Sequence, residues 1–261
     1  MKYLQQWLLA IGGVLCLAGC DKSADNKDDF EIVIAPSSSQ PGIGNTDGDP
    51  VGNAWVLPDG IRIVRRPHYR FNPSPDKLYG ASNSFYADIS FVNERVGGGT
   101  VNVEFPPGLI VVSTEEGRLQ NGLNITRFIV PVPPTINGSG GRDTTTIYLG
   151  VACLNEHRGF PWEENFDADT RNYPIGRDMY NQYVVTTDPS LLKLLEEFRD
   201  LPGLRLTRHR NPWDVFAEDY IEPEWQKIYS KIGEAVWAVT DRYGVTRKKL
   251  NCLRNALKAY R

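Results

Sequence analysis

Histidine and methionine are scarce in this chain, with three and two among 261 residues. His68, His157 and His209 stand far apart, without the close spacing that would put two imidazoles on one metal ion. Cysteine numbers only four, too few for a fold held by a disulfide framework. Positive charge is not in excess: 29 Lys and Arg against 32 Asp and Glu leave a net charge of −3. Such a chain has no strong field to attract a polyanion, and no basic patch with interleaved aromatics occurs, so nucleic acid is not an expected partner. Beyond residue 20 no apolar run approaches the ~20 residues that a membrane-spanning helix needs. Neither a Gly-x-Ser-x-Gly elbow nor a His-Glu-x-x-His pair is present. No cofactor and no metal are expected.

The amino terminus carries the most specific signal. Lys2 supplies one positive charge, and an apolar run follows from Trp7 to Leu17. The run is too short for a bilayer core of ~30 Å but long enough for a secretory signal. It ends in Leu17-Ala18-Gly19-Cys20, with Asp21 next. This tetrapeptide resembles the lipobox of bacterial lipoproteins. The resemblance implies a signal peptide over residues 1–19, cleavage before Cys20, and fatty acylation (palmitate or a similar acid) of Cys20 as the new terminus. Several acyl chains on one residue would anchor the chain stably to a membrane. The acidic stretch Lys27-Asp28-Asp29 is similar to a surface-export signal of some Gram-negative anaerobes, whereas Asp21 resembles an inner-membrane retention signal. The expected location is the cell envelope, at the outer membrane or cell surface rather than the inner membrane.

Residues 20–53 are rich in Asp, Asn, Lys, Ser, Pro and Gly, and read as a flexible tether. Only Phe30 to Ile34 interrupts it with the pattern of a short strand. Within it, Asn45, Asp47 and Asp49 place three oxygen-bearing side chains in five residues, either a cation loop or a solvated turn.

Residues 54–155 read as an antiparallel β-sandwich of immunoglobulin-like form. Two-residue alternation puts Phe85, Ala87, Ile89 and Phe91 on one face of a strand. Val101, Val103 and Phe105 repeat the pattern, as do Ile147, Leu149, Val151 and Cys153. The opposite faces, with Asp88 and Ser90, are expected to be wet. Turn clusters such as Pro106-Pro107-Gly108 and Asn121-Gly122 separate the strands.

Residues 156–261 read as a loop and a helical region packed on the sandwich, so the fold class is α+β. Tyr183–Thr186 has the pattern of one more strand. Asp188 and Pro189 start a helix as cap and first-turn proline. The clearest helix lies between Glu222 and Arg242, with Trp225, Ile228, Tyr229, Ile232, Val236 and Val239 in one stripe. Trp237 falls off that stripe. Thr246 caps a last helix, whose Leu250, Leu253, Leu257 and Tyr260 share a face and whose Cys252 lies on the other side.

Cys16 leaves with the signal and Cys20 is acylated, so Cys153 and Cys252 remain. They form either one disulfide or two buried thiols. A bridge across about 100 residues would contribute up to ~4.7 kcal/mol in the chain-entropy account.

Two further segments resemble the thioester domains of Gram-positive surface adhesins. Ala152-Cys153-Leu154-Asn155 is similar to that family's Cys-Ile-Asn strand motif. Gly233-Glu234-Ala235-Val236-Trp237, followed by Thr240-Asp241, is similar to its Gln-x-Ala-Ile-Trp helix motif. The resemblance implies a strand cysteine beside a tryptophan helix. It does not imply the thioester, because Gly233 stands where the reactive glutamine would be and has no side chain to acylate the thiol.

Glu163, Glu164, Asp167 and Asp169 lie in one loop beside Phe160, Trp162, Phe166 and Tyr173, and Trp213 begins a second aromatic stretch. Aromatic platforms beside carboxylates suit sugar rings or a protein interface. Trp162, Glu163, Glu164, Asp167, Trp213 and Trp237 are therefore the candidate ligand-binding residues. The expected role is a non-catalytic binding or adhesion module for a glycan or protein. The alternatives are a fimbrial or assembly subunit, and a glycan-directed hydrolase using the loop carboxylates as acid and base.

Overall fold

The structure, a computed structural model, describes residues 27–37, 40–65, 73–82, 84–95, 98–115, 117–135, 137–138, 141–142, 144–159, 175–176, 179–201, 204–209 and 219–261. Its strands run β1 (Ile32–Ile34), β2 (Gly52–Ala54), β3 (Ile61–Val64), β4 (Leu78–Tyr79), β5 (Phe85–Asn93), β6 (Val101–Phe105) and β7 (Leu109–Ser113). They continue with β8 (Gly122–Leu123), β9 (Phe128–Val132), β10 (Asn137–Gly138), β11 (Gly141–Arg142), β12 (Thr145–Cys153), β13 (Tyr180–Thr186) and β14 (Val245–Thr246). The described α-helices are α1 (Pro189–Leu195), α2 (Glu224–Thr240) and α3 (Arg247–Leu257). The fold is α+β: mostly antiparallel strands with helices gathered toward the carboxyl terminus.

The main sheet has eight strands in the order β2-β13-β7-β8-β12-β5-β3, with β4 alongside β12, and it curls like half a barrel. Strand β12 joins its two halves. Residues Thr145 to Val151 pair with β5, while Ala152 and Cys153 pair with Leu123 and Gly122 of β8. The β4 contact, Tyr148 with Leu78 and Leu149 with Tyr79, is parallel.

The expected alternation is present. Phe85, Ala87, Ile89, Phe91, Ile147, Leu149, Val151 and Cys153 enter one core. That core is closed by the paired strands β6 and β9, whose Val101, Val103, Phe105, Phe128, Val130 and Val132 face it. Phe105 stacks on Phe128 at 4.6 Å between centroids and meets Phe91 edge-on at 6.0 Å.

The outer faces of β6 and β9 are exposed, as the alternation predicts, but the second face of the main sheet is largely buried rather than wet, with Asp88 half-buried. Ile110, Val112, Leu123, Ala152 and Leu154 enter a second core shared with all three helices. Ser90 lies buried with its hydroxyl 2.8 Å from that of Thr146, the partnering that a buried hydroxyl requires.

Helix starts follow their capping chemistry. The Asp188 carboxylate accepts from the backbone N–H groups of Ser190 and Leu191, and Pro189 occupies the first turn of α1. Thr246 accepts from Lys249 N–H at the start of α3. In α2, Ile228, Tyr229, Ile232, Val236 and Val239 are buried as the stripe required.

Two expected boundaries move. First, the further strand expected at Tyr183–Thr186 is present as β13 (Tyr180–Thr186) and lies in the main sheet between β2 and β7, so the β core extends into residues 156–261. Second, the tether does not extend to residue 53. Strand β1 pairs with β14, and Ile34 and Ile43 are core residues. Ser37 donates to the Asp188 carboxylate at 2.7 Å, and Lys193 donates to the Val33 carbonyl at 2.7 Å. A polar composition concealed two apolar anchors, and the backbone around them is bonded into the fold rather than free.

A chain starting at Gly52 therefore lacks β1 and two buried isoleucines. It is expected to unfold at lower urea than a chain starting at Lys27. The Ile43→Ala substitution in the full chain should cost ~2–5 kcal/mol. Equal midpoints for the two truncations would show that residues 27–51 add no stability.

Candidate functional site

The two segments that resemble the thioester motif come together in the structure. Strand β12 ends at Cys153, and residues 154–156 pass the carboxyl end of α2. There the Asp241 carboxylate accepts from Glu156 N–H at 3.2 Å, and Asp241 N–H donates to the Trp237 carbonyl at 2.9 Å. Trp237, off the main stripe of α2, packs against the core that contains Cys153. Its indole N–H is buried and has no hydrogen-bond partner among the described residues.

Polar groups knit this corner. Asn155 is fully buried and satisfied: its carbonyl accepts from Asn121 N–H at 2.8 Å, and its amide donates to the Gly42 and Gly44 carbonyls at 3.0 and 2.8 Å. Asn121 donates to the Gly42 carbonyl at 2.9 Å and accepts from Ser113 N–H at 2.9 Å. Gly44 N–H returns to the Leu154 carbonyl at 2.9 Å. Gly44 has φ +61°, and a Cβ there would come within 2.2 Å of the Thr240 carbonyl oxygen. The loop thus lies directly on the helix end, which only glycine permits. Outside this corner, Arg242 forms a fork with Glu156, with Nε to Oε2 at 3.0 Å.

The thiol itself is a free, buried group. Burial, and to a lesser extent the nearby Asp241 charge, pushes Cys153 up to about 12, although the Ser84 hydroxyl opposes the shift. At neutral pH it is a thiol rather than a thiolate, hence a poor nucleophile. Tyr180 beside it is also raised, mainly by burial. At position 233 the helix has open space: nothing lies within 4 Å of where a Cβ would sit.

Of the two alternatives for Cys153 and Cys252, the bridge between them is not formed. Cys252 is disulfide-bonded, while Cys153 is free. The reason is topological. Leu250, Leu253 and Leu257 turn α3 toward the helix-side core, whereas Cys153 points into the core on the other face of the sheet.

Of the candidate ligand-binding residues, Trp237 serves as packing rather than as an exposed platform. Trp162, Glu163, Glu164, Asp167 and Trp213 lie outside the described residues, as does Cys20. The Asn45–Asp49 stretch is not a cation loop of free oxygens, since the Arg158 guanidinium donates to the Thr46 carbonyl at 2.9 Å and lies 3.7 Å from the Asp47 carboxylate. No group of three metal-ligating side chains occurs among the described residues. The structural role of Asn155 and Asn121 was not expected from the sequence. The available signal was Gly42-Ile43-Gly44, an apolar residue between two glycines inside an otherwise polar segment.

Comparison of the chain with protein-family models, with curated proteins and with solved structures finds no match.

Two outcomes follow from this chemistry. In the native chain at pH 8, Cys153 should not react with a disulfide reagent such as dithionitrobenzoate, and it should react once urea unfolds the fold. Rapid native labelling of Cys153, located by peptide mass, would contradict its burial. For Asp241, burial is the largest influence and raises its pKa, against the donations from Thr240 and Glu156 N–H. A raised carboxyl favours folding while protonated, so its contribution is full below the ordinary value of 3.8 and fades as pH rises through the raised value. Asp241→Asn keeps an acceptor without the charge. Its melting temperature, relative to that of the unaltered chain, should therefore rise as pH increases from 3.8 toward neutral.

Proposed function

We propose that this protein is a lipid-anchored lipoprotein of the bacterial cell envelope that acts as a non-catalytic binding module for a glycan or protein. The observation that carries the reading is Leu17-Ala18-Gly19-Cys20 at the end of an apolar run, a sequence with the chemistry of lipoprotein processing. Strand β1 begins at Ile32, 12 positions after Cys20, so a domain held by that residue would stay close to the membrane. An outer-membrane or surface site fits the acidic residues that follow the anchor.

The non-catalytic part of the reading draws on the inert state of Cys153, the one nucleophile that the motif resemblance singled out. Binding is assigned to the aromatic and acidic residues Trp162, Glu163, Glu164, Asp167 and Trp213, whose composition suits sugar rings or a protein surface. The β6–β9 ribbon packed against one face of the curled sheet supports reading the β part as an open, immunoglobulin-like sandwich, a scaffold that presents loops at its ends.

The decisive test is the mass of the amino-terminal peptide from the native cell. The expected result is a chain beginning at Cys20 with a diacylglycerol thioether and an acylated amine, partitioning into detergent, while Cys20→Ser remains in the aqueous phase. Cleavage removes Cys16 and the thioether consumes the Cys20 sulfur. The disulfide of Cys252 in the structure would then have lost its partner, so in the mature chain Cys153 and Cys252 should both titrate as thiols after unfolding without reductant. A single titratable thiol, with Cys252 still bridged, would count against lipidation. Loss of glycan-array or host-protein binding in Trp162→Ala and Trp213→Ala would support the binding role, and unaltered binding in both would remove those residues from it.

A further inference from the structure

Three exposed apolar side chains gather where the described chain begins. Phe30 is 62% exposed, Ile32 50% and Tyr243 86%. They come from separate parts of the sequence but share one corner. Ile32 pairs with Thr246, and Arg247 N–H donates to the Glu31 carbonyl at 2.8 Å, which sets β1 against the start of α3. Gly244, with φ +92°, turns the chain beside Tyr243, and a Cβ there would come 3.0 Å from Ile32 Cγ2. The Lys248 ammonium lies 5.9 Å from the centre of the Phe30 ring. Charges of both signs lie close by: Arg247 pairs with Glu31, Arg242 pairs with Glu156, and Lys27, Asp28 and Asp29 share the short helix of Phe30.

We propose that this corner, formed by Phe30, Ile32 and Tyr243, rests on the lipid surface to which the chain is anchored. The inference rests on the reading of Cys20 as the lipid attachment point. Ten residue steps lead from Cys20 to Phe30. Fully extended, they span at most ~36 Å at ~3.6 Å per residue, so the corner is tied within that distance of the bilayer. An aromatic ring with a polar tip and a second aromatic beside a lysine suit the boundary between headgroups and acyl chains. Three side chains bind too weakly to hold a domain on a membrane unaided. The anchor makes their contact intramolecular and raises its effective concentration. Acidic and basic groups are mixed around the corner rather than of one sign, so a zwitterionic phosphatidylcholine surface is the one it is proposed to meet.

Hydroxyl-radical footprinting tests this, because it reads exposed side chains one by one. The acylated chain is placed on phosphatidylcholine vesicles and compared with the Cys20→Ser chain in solution. Phe30 and Tyr243 should be oxidised severalfold more slowly on the vesicles. Ile221, 84% exposed, is the internal control. It precedes α2 while Tyr243 follows it, and 17 helical residues at ~1.5 Å each separate the two by roughly 26 Å. Its oxidation should be the same in both samples. An acylated Phe30→Ser/Tyr243→Ser chain should stay vesicle-bound while Ile32 returns to the rate of the soluble chain. Equal oxidation of Phe30 and Tyr243 in both samples overturns the proposal, even with Cys20 acylated. If amino-terminal mass shows no acyl group, the anchoring reading fails by itself. The docking face is then judged on nickel-chelating phosphatidylcholine vesicles that hold the chain by a hexahistidine in place of residues 1–20, where unprotected aromatics again overturn it.

Discussion

Everything described here depends on a sheet that is covered on both faces. Strand β12 shows the constraint most clearly: Ile147, Leu149, Val151 and Cys153 enter one core, while Ala152 and Leu154 enter the other. Apolar area on both sides of one strand requires two separate covers. The β6–β9 ribbon closes one side, and the helices with the amino-terminal segment close the other. Neither cover is dispensable, because each buries residues of the same strands.

This double coverage explains the chemistry of the corner around Cys153. A cysteine at the end of a central strand, under a ribbon and beside a helix end, loses water from all directions, and its thiol is stabilised in the neutral form. The nearby Asp241 carboxylate adds to that effect. The polar groups that must also be buried there are satisfied by two asparagines, Asn121 and Asn155, which bind backbone groups of the Gly42–Gly44 turn. A buried amide with all its partners in place specifies one arrangement of chain. Residues 40–46 are consequently fixed against α2 rather than left in solvent.

The amino-terminal segment links the fold to the proposed anchoring. Because β1 pairs with β14 and Ile34 and Ile43 are core residues, the structured domain starts close to the position read as the lipid attachment point. A short connection restricts orientation as well as distance, and so gives meaning to which surface residues lie near Phe30. A long flexible tether would have left every face equivalent.

Local patterns in the sequence determined a good deal. The period-2 runs in β5, β6 and β12, the stripe of α2, and the Asp188 and Thr246 caps depend on neighbours within a few residues, and such signals are readable along the chain. The α+β class follows from them; the strand cysteine and the tryptophan helix that the motif resemblance implied share one core only through the tertiary packing. Burial of the second face of the sheet is different. Ser90 and Thr146 look like surface residues until helices and loops from distant parts of the chain cover them. Strand β13 enters the main sheet between β2 and β7, and its pairing with β7 is a contact across about 70 residues that no local pattern encodes. The same holds for Ile34 and Ile43, two apolar residues in a polar segment, whose place is set by β14 and α2 far along the chain. Which core each cysteine faces was likewise a tertiary matter: sequence determined that Cys252 sits opposite the leucines of its helix, but only packing put that helix and Cys153 on opposite sides of one sheet.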